Sequence, residues 1–363
     1  AAEYRPATGR VEGVRQPFVI AGTTIASGER RLVDIPVSKL SNHTPITLPV
    51  HVMHGPRPGL TMFLTAAVHG DELNGVEIIR RVLRTLQPGN IARTLLAVPV
   101  VNAYGFIGRS RYMPDRRDLN RSFPGSPTGS LAARLAHILL NEVVKRAHIG
   151  IDLHSAATHR VNLPQIRCEF SRRPRARKLS EAFGTEIVLD SPERAGSLRK
   201  SAREMGVDVL VYEGGEGLRF DEFAIQAAVD GIIGVMLSVG MLELPEGVEE
   251  DVKSRRRPQL FANASKWVRA PEGGVLRTSK RIGDAVSENE VIGYIANPYE
   301  DADAEVRSPR RGLIIGRTTL PIVNMGDALF HVAWSEEIHR ARRVMETVRE
   351  PVAEPLMDED EII

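Results

Sequence analysis

The chain has 363 residues, 42% hydrophobic and 26% charged, an ordinary globular composition with enough apolar material for one large domain and a smaller one. Lys and Arg number 48 against 46 Asp and Glu, for a formal net charge of +2. That balance argues against a nucleic-acid partner, because nothing supplies a general field for phosphate. The short basic clusters at 172–178 and 253–257 read as solvated surface or linker. Cys168 is the one cysteine, so no intramolecular disulfide can form and an oxidising compartment is not indicated. A lone cysteine reads first as a small buried residue and only second as a nucleophile. Residues 1–15 are polar and lack the apolar core of a signal peptide. No apolar run reaches a membrane span, and the longest, 227–244, contains Asp230, Ser238 and three glycines. The expectation is a cytoplasmic protein without a membrane partner. Self-association stays open.

In chain order, 31–37, 47–54 and 60–66 read as strands between Pro/Gly turns. A helix follows over 72–86, with Val76, Ile79, Val82 and Leu83 on one face and a stop before Pro88-Gly89. Residues 94–101 form an apolar strand, and 102–128 a long loop rich in Arg, Asp, Pro and Gly, of the kind that is usually functional or disordered. Then come a helix over 130–146, a strand over 149–154 and a polar loop. A helix over 175–183, a strand over 186–189 and a helix over 198–205 lead to a strand over 207–212 that ends at Glu213-Gly214-Gly215. A long helix spans 220–244. Strands alternating with helices indicate an α/β domain with a mostly parallel or mixed sheet. In such sheets the active groups collect beyond the carboxyl ends of the strands. After 245 the composition changes: 246–260 reads as a charged linker, 261–335 as an all-β domain, and 336–363 as a helix with an acidic tail. Residues 1–45 form an N-terminal β extension to a catalytic domain over 46–245.

Four segments carry chemistry. In Ala66-Ala67-Val68-His69-Gly70-Asp71-Glu72, a strand delivers a His, a glycine lets the chain turn, and a Glu follows at H-x-x-E spacing. His69 and Glu72 can converge on one ion, a donor set that suits zinc with a position left open. The competing reading is a strand-to-helix turn with a solvated His and acids that complement the helix N-terminus. In Gly150-Ile151-Asp152-Leu153-His154, a second strand ends in a His, and Asp152 shares its side of the strand. His154 supplies the third ligand and Asp152 a nearby carboxylate. Alone, this His reads as a satisfied strand-end residue. Arg109-Ser110-Arg111-Tyr112 and Arg117-Asp118-Leu119-Asn120-Arg121 place arginines in one loop, a poor choice for packing but suited to binding carboxylates and polarising a carbonyl. Asp118 is positioned to orient a ligand His. The alternative is a hydrated loop with surface ion pairs. Finally, Glu213 stands just past an apolar strand before two glycines, where a general base would sit, and Glu216 is its rival in the same turn.

Together the H-G-D-E turn, the D-L-N-R loop, the D-L-H strand end and the E-G-G turn resemble, in that order, the succinylglutamate desuccinylase/aspartoacylase family, relatives of the zinc carboxypeptidases. The resemblance runs over about 49–244. It implies a zinc-carboxypeptidase-like mixed sheet flanked by helices, with a C-terminal all-β, barrel-sandwich-like domain that shapes the mouth of the site. It implies one zinc ion per chain on His69, Glu72 and His154. It places the catalytic Glu on Glu213 and the substrate-carboxylate pair on Asn120 and Arg121. The carbonyl-polarising Arg falls on Arg111, with Arg109 in the same Arg/Tyr stretch. The implied reaction is hydrolysis of the amide bond of a small N-acyl amino acid. A carboxypeptidase acting on short peptides would use the same residues, and a non-catalytic binding protein on this fold is the rival from another class. The C-terminal region also resembles a biotinyl/lipoyl barrel, with turns at Gly283-Asp284 and Gly326-Asp327. It carries Asn297-Pro298-Tyr299-Glu300-Asp301 where a modified lysine would stand, so carrier function is not expected.

Overall fold

A computed structural model describes residues 15–57, 59–243 and 258–335. The first strands are a hairpin of Phe18–Ile20 (β1) and Thr23–Ile25 (β2), then a long antiparallel ribbon of Glu29–Lys39 (β3) and Pro45–His54 (β4). Thr61–Ala66 (β5) leads through a turn into Asn74–Thr85 (α1). Thr94–Val98 (β6) leads into the short helix Ala103–Ile107 (α2), and Leu131–Glu142 (α3) precedes Ile149–His154 (β7). Arg160–Cys168 (β8), Pro174–Phe183 (α4), Ile187–Asp190 (β9), Leu198–Glu204 (α5), Asp208–Glu216 (β10) and Glu222–Ser238 (α6) follow.

The strands β10, β7, β5 and β6 lie side by side and parallel, with β4 and β3 antiparallel beyond β6 and β8 antiparallel beyond β10. The fold is therefore a mixed sheet flanked by helices. In β5, Met62, Leu64 and Ala66 face one core together with α1, α4 and α6, while Phe63 faces the other, beside α3 and α5. The same alternation in β7 turns Ile149, Ile151 and Leu153 to the first core and Gly150, Asp152 and His154 to the second face. Gly150 is required there, because a Cβ would stand 2.1 Å from the Phe63 ring. The second face is thus apolar low in the sheet and polar at the carboxyl ends of β5, β7 and β10.

Two features differ from expectation. The polar loop expected after 154 contains strand β8. Its sequence, Arg-Val-Asn-Leu-Pro-Gln-Ile-Arg-Cys, hides the strand because the register against β10 shifts between Glu213 and Gly215. Such a bulge breaks the two-residue alternation, and Pro164 removes a ladder donor. The helix expected over 220–244 ends at Ser238, before Gly240 at φ +65°.

The C-terminal strands are Leu260–Ala262 (β11), Ala264–Arg269 (β12), Gly274–Arg277 (β13), Ala285–Val286 (β14), Val291–Ala296 (β15), Asp303–Arg307 (β16), Gly312–Thr318 (β17), Ile322–Val323 (β18) and Ala328–Trp334 (β19). They continue the main sheet. Beyond β8 it forks: residues 160–162 pair with β17, which pairs with β19 and then β12, while residues 165–168 pair with β9, which pairs with β11. A second sheet has the order β16-β15-β13-β18. The helix and acidic tail expected over 336–363 lie outside the described residues, as does the linker up to 257. No helix among the described residues is long and apolar enough to cross a membrane.

The turn from β5 into α1 is held by backbone contacts. Ala67 adopts φ +47°, Val101 N donates to Ala66 O, and Asn102 N donates to Ala67 O. Gly70 packs so closely on α2 that a Cβ would stand 1.9 Å from the carbonyl carbon of Gly105. Main chain cannot rotate away as a side chain can. Gly70→Ala should therefore destabilise the protein by roughly 1–3 kcal/mol, read as a lower urea midpoint at unchanged m-value.

Candidate metal centre and substrate cavity

The H-x-x-E spacing works because residues 69–72 form one turn, closed by Glu72 N donating to His69 O at 3.2 Å. Glu72 precedes α1 rather than lying in it. Its buried carboxylate stands between two imidazoles: Oε1 is 2.7 Å from His69 Nδ1, and Oε2 is 2.8 Å from His154 Nδ1. The rings themselves are 5.0 Å apart. Ser155 N also donates to Oε2, at 3.1 Å. The far nitrogen of each imidazole meets its own carboxylate. His69 Nε2 is 3.1 Å from Asp118 Oδ1, and His154 Nε2 is 2.8 Å from Asp152 Oδ2. Asp152 is fixed in turn by Thr65 Oγ1, which donates to it at 2.7 Å.

These contacts set the electrostatics. Burial alone would raise the Glu72 pKa, but His69 and His154 outweigh it and hold the carboxyl well below its usual range. Burial opposes protonation of His69, yet Glu72 and Asp118 hold its pKa above the ordinary value. His154 is raised further, with Asp152 and Glu72 overcoming burial. The Asp118 carboxyl is likewise held far down, where burial is outweighed by His69 and Arg111. A buried carboxylate facing two histidines is stable only with compensating positive charge.

The same three residues fit a divalent cation. One donor atom from each lies within 4.8 Å of the others. Both imidazoles turn Nδ1 inward, with Nε2 anchored by a carboxylate, the arrangement that orients metal-binding histidines. Two nitrogens and one oxygen, with room for a fourth ligand, match zinc chemistry.

A cavity of 280 Å³ opens over this centre. Arg111 reaches it, with Nη1 3.3 Å from Glu72 Oε1 and Nη2 donating to Asp118 Oδ2 at 3.1 Å. Arg109 is exposed at φ +50° and does not line the cavity. Asn120 and Arg121 do. Asp118 accepts from Asn120 N, and Asn120 Oδ1 accepts from Leu198 N at 2.9 Å, which leaves Nδ2 to donate into the cavity. Glu213 is the direct neighbour of His154 across the β10/β7 ladder, so the two share a face. Arg167 Nη1 lies 3.2 Å from its Oε1, and Asn162 Nδ2 donates to Oε2 at 3.0 Å. The rival Glu216 does not line the cavity. It accepts from His159 N at 3.0 Å.

The two loops expected to carry pocket residues, 155–165 and 191–199, both line the cavity, whereas Arg167 and Trp267 were not foreseen. Asn162 and Arg167 lie on the overlooked strand β8, and a charged residue between apolar ones at 160–168 was the available signal. Arg199, which the sequence offers as a second carboxylate anchor or, more readily, as a helix-surface residue, is half-buried. It donates to the carbonyls of Arg167, Ser191 and Pro192 and so clamps the loop at the cavity rim. Trp267 comes from β12. It stacks on His331 at 4.7 Å with 9° between the planes, and the Arg160 guanidinium lies 5.3 Å from the Trp267 ring centroid on that ring's face. Cys168 is buried beside Ser180, and burial pushes its thiol up to about 11, the profile of an inert packing residue.

His331 sits behind Trp267, with Nε2 2.9 Å from Ser265 Oγ. Burial, helped by the positive charge of Arg167, pushes its pKa down to about 3. An unfolded His titrates near 6.5. Between these values the folded state binds fewer protons than the unfolded one. The neutral imidazole therefore favours folding above about pH 6.5, and that contribution is lost as pH falls toward 3. His331→Phe, which keeps the stack, should lose less stability between pH 6.5 and 4 than the parent chain in urea titrations. An equal loss would show that His331 does not drive the acid sensitivity.

Residues 58–239 match the succinylglutamate desuccinylase/aspartoacylase catalytic domain. The N-alpha-acetyl-L-2,4-diaminobutyric acid deacetylase of Halomonas elongata is 27% identical over 288 residues, 76% of this chain and 82% of that protein. A succinylglutamate desuccinylase/aspartoacylase from Rhodobacter sphaeroides superposes with a TM-score of 0.72 at 25% identity, covering 84% of this chain and 95% of that one. The ectoine utilization protein EutE (DoeB) from Ruegeria pomeroyi shares the fold, with a TM-score of 0.74 at 21% identity over 90% of this chain and 100% of its own. The chain belongs to the succinylglutamate desuccinylase/aspartoacylase family.

Proposed function

We propose that this protein is a zinc-dependent hydrolase that cleaves the amide bond of an N-acyl amino acid, with the ion held by His69, Glu72 and His154. The observation that carries the reading is the convergence of those three donors beneath a cavity that also holds Glu213, Arg111, Asn120 and Arg121. The named activities of its relatives support the deacylase class. Zinc at such a site supplies Lewis acidity, which eases deprotonation of water near neutral pH and polarises an amide carbonyl.

The protein's own groups do the rest. Glu213 accepts the proton of the attacking water and returns it to the leaving amine nitrogen. Arg167 and Asn162 fix the orientation of its carboxylate. Arg111 donates to the oxyanion that develops on the carbonyl oxygen, and one such contact is worth about 3 kcal/mol. Asn120 Nδ2 and the Arg121 guanidinium hold the substrate carboxylate and so position the amide. Asp118 and Asp152 keep the two histidines in the orientation the ion needs. We assign the catalytic unit to residues 46–245 and the C-terminal β unit to 261–335. A cytoplasmic location fits a chain with one buried cysteine.

Glu213→Gln tests the assignment. It should bind zinc as the parent does and lower kcat by about 10²–10⁴-fold, measured on a panel of N-acetyl and N-succinyl amino acids. Near-normal turnover would remove Glu213 from the reaction. Preferential cleavage of short peptides in the same panel would move the protein to the carboxypeptidases. Zinc binding without any hydrolysis would leave a binding protein.

A further inference from the structure

The strand that carries Glu213 breaks its own ladder just beyond it. On the β8 side the pairing steps from Glu213–Gln165 to Gly215–Asn162, so Gly214 is passed over and stands opposite Leu163 and Pro164. On the β7 side the ladder ends with the Glu213–His154 pair. Gly214 is buried, and a buried carbonyl must find a donor elsewhere. An irregular register beside an active group re-aims the side chain next to it. Whatever holds Gly214 therefore bears on the direction of Glu213.

Asn74 supplies the donor. Its Nδ2 donates to Gly214 O at 3.1 Å, and its Oδ1 accepts from Asp221 N at 3.0 Å. Both ends of one fully buried amide are thus spent on the main chain that leaves Glu213 and enters α6. Asp221 in turn caps α6, with Oδ1 accepting from Ala224 N at 2.9 Å. Gly215, at φ +75°, makes room for the amide, since a Cβ there would stand 2.4 Å from Asn74 Nδ2. Asn74 is itself held in place. It opens α1, two residues after Glu72. Its neighbour Gly75 lets that helix start directly on β5 and β7, because a Cβ there would stand 2.7 Å from Ala66 Cβ and 2.9 Å from Leu153 Cβ. Two main-chain contacts run beside the amide. Leu218 N donates to Asp71 O at 2.7 Å, and Ala156 N donates to Gly215 O at 3.1 Å.

We propose that Asn74 is a positioning residue for Glu213: it ties the turn that carries His69 and Glu72 to the strand that carries the base, and so sets the gap between the Glu213 carboxylate and the ion. This rests on the hydrolase reading above for the role of Glu213 and adds the side chain that places it. Arg167 and Asn162 act on the carboxylate from β8, whereas Asn74 acts on the main chain behind it. Without the amide, Gly214 O and Asp221 N lose their partners together, and the segment shifts until both are satisfied. The substrate carboxylate is held elsewhere, by Asn120 and Arg121, so the loss falls on the chemical step and not on binding.

The test uses the zinc-loaded full chain and the panel of N-acetyl and N-succinyl amino acids. On the compound the parent cleaves best, Asn74→Ala should lower kcat by about 10–100-fold, the scale of misplacing a reacting group by about 1 Å, with KM and zinc content within about twofold of the parent. Gly215→Ala presses on the same amide from the other side and should also lower kcat at unchanged KM. The double variant should lose less than the product of the two single losses, because both act through one contact. Ile232→Ala, on the buried face of α6, is the stability control: its urea midpoint should fall while kcat stays at the parent value. Crystal structures of the parent and Asn74→Ala read the placement without turnover, and the Glu213 main chain should move by about 1 Å relative to His69 and His154. If the parent hydrolyses nothing on the panel, the deacylase reading fails while the two structures still decide what Asn74 holds. If Asn74→Ala does not fold, Gly215→Ala carries both measurements. A parent-like kcat in the folded variant, a loss confined to KM, an equal loss in Ile232→Ala, or an unmoved Glu213 would overturn the proposal.

Discussion

The structure is organised around one buried carboxylate. Glu72 lies under the sheet's carboxyl edge with an imidazole on each oxygen, and everything near it answers the cost of placing charge there. Asp118 and Asp152 hold the outer nitrogens of those imidazoles, Thr65 holds Asp152, and Arg111 bridges Glu72 and Asp118. The result is a closed chain of alternating charge in which each member fixes the next. Such a chain makes rigid ligands for a cation, because the ligands are oriented before any ion arrives.

The backbone explains why these residues meet. Parallel pairing of β5, β7 and β10 sets Thr65, Asp152 and Val211 in one row and His154 and Glu213 in the next. A single face of the sheet therefore carries Phe63 and Gly150 in its packed part and the polar groups at its end. Gly150 and Gly70 serve the same arrangement from different sides. One admits the Phe63 ring, and the other lets α2 press against the turn that carries His69.

What was legible in the sequence follows from this geometry. His154 ends β7, His69 and Glu72 stand in the turn after β5, and Glu213 stands in β10 just before two glycines, a local pattern that spacing reveals. The order of strands in the centre of the sheet could be read as α/β for the same reason. Arg160 and Asn162 were legible only as members of a polar pocket loop and Arg167 not at all, because the bulge in the β8/β10 pair breaks alternation and Pro164 reads as a loop. Arg199 looks like any exposed helical arginine until tertiary structure supplies three carbonyls for it. Trp267 sits more than fifty residues beyond Glu213, and no periodicity indicates that its strand joins the catalytic sheet through β17 and β8. Local chemistry is written locally. A wall assembled by strand pairing across 150 residues is not.

The C-terminal strands thus border the cavity, since they extend the same sheet and bring Trp267 to its lining. All of it presupposes that the three donors hold an ion. Zinc content after metal loading, measured by mass spectrometry of the metal on the parent chain and on folded His69→Ala and His154→Ala, tests this most directly. The account predicts one zinc per parent chain and loss of that zinc in both variants. A parent chain that takes up no zinc, or variants that retain it in full, would contradict it.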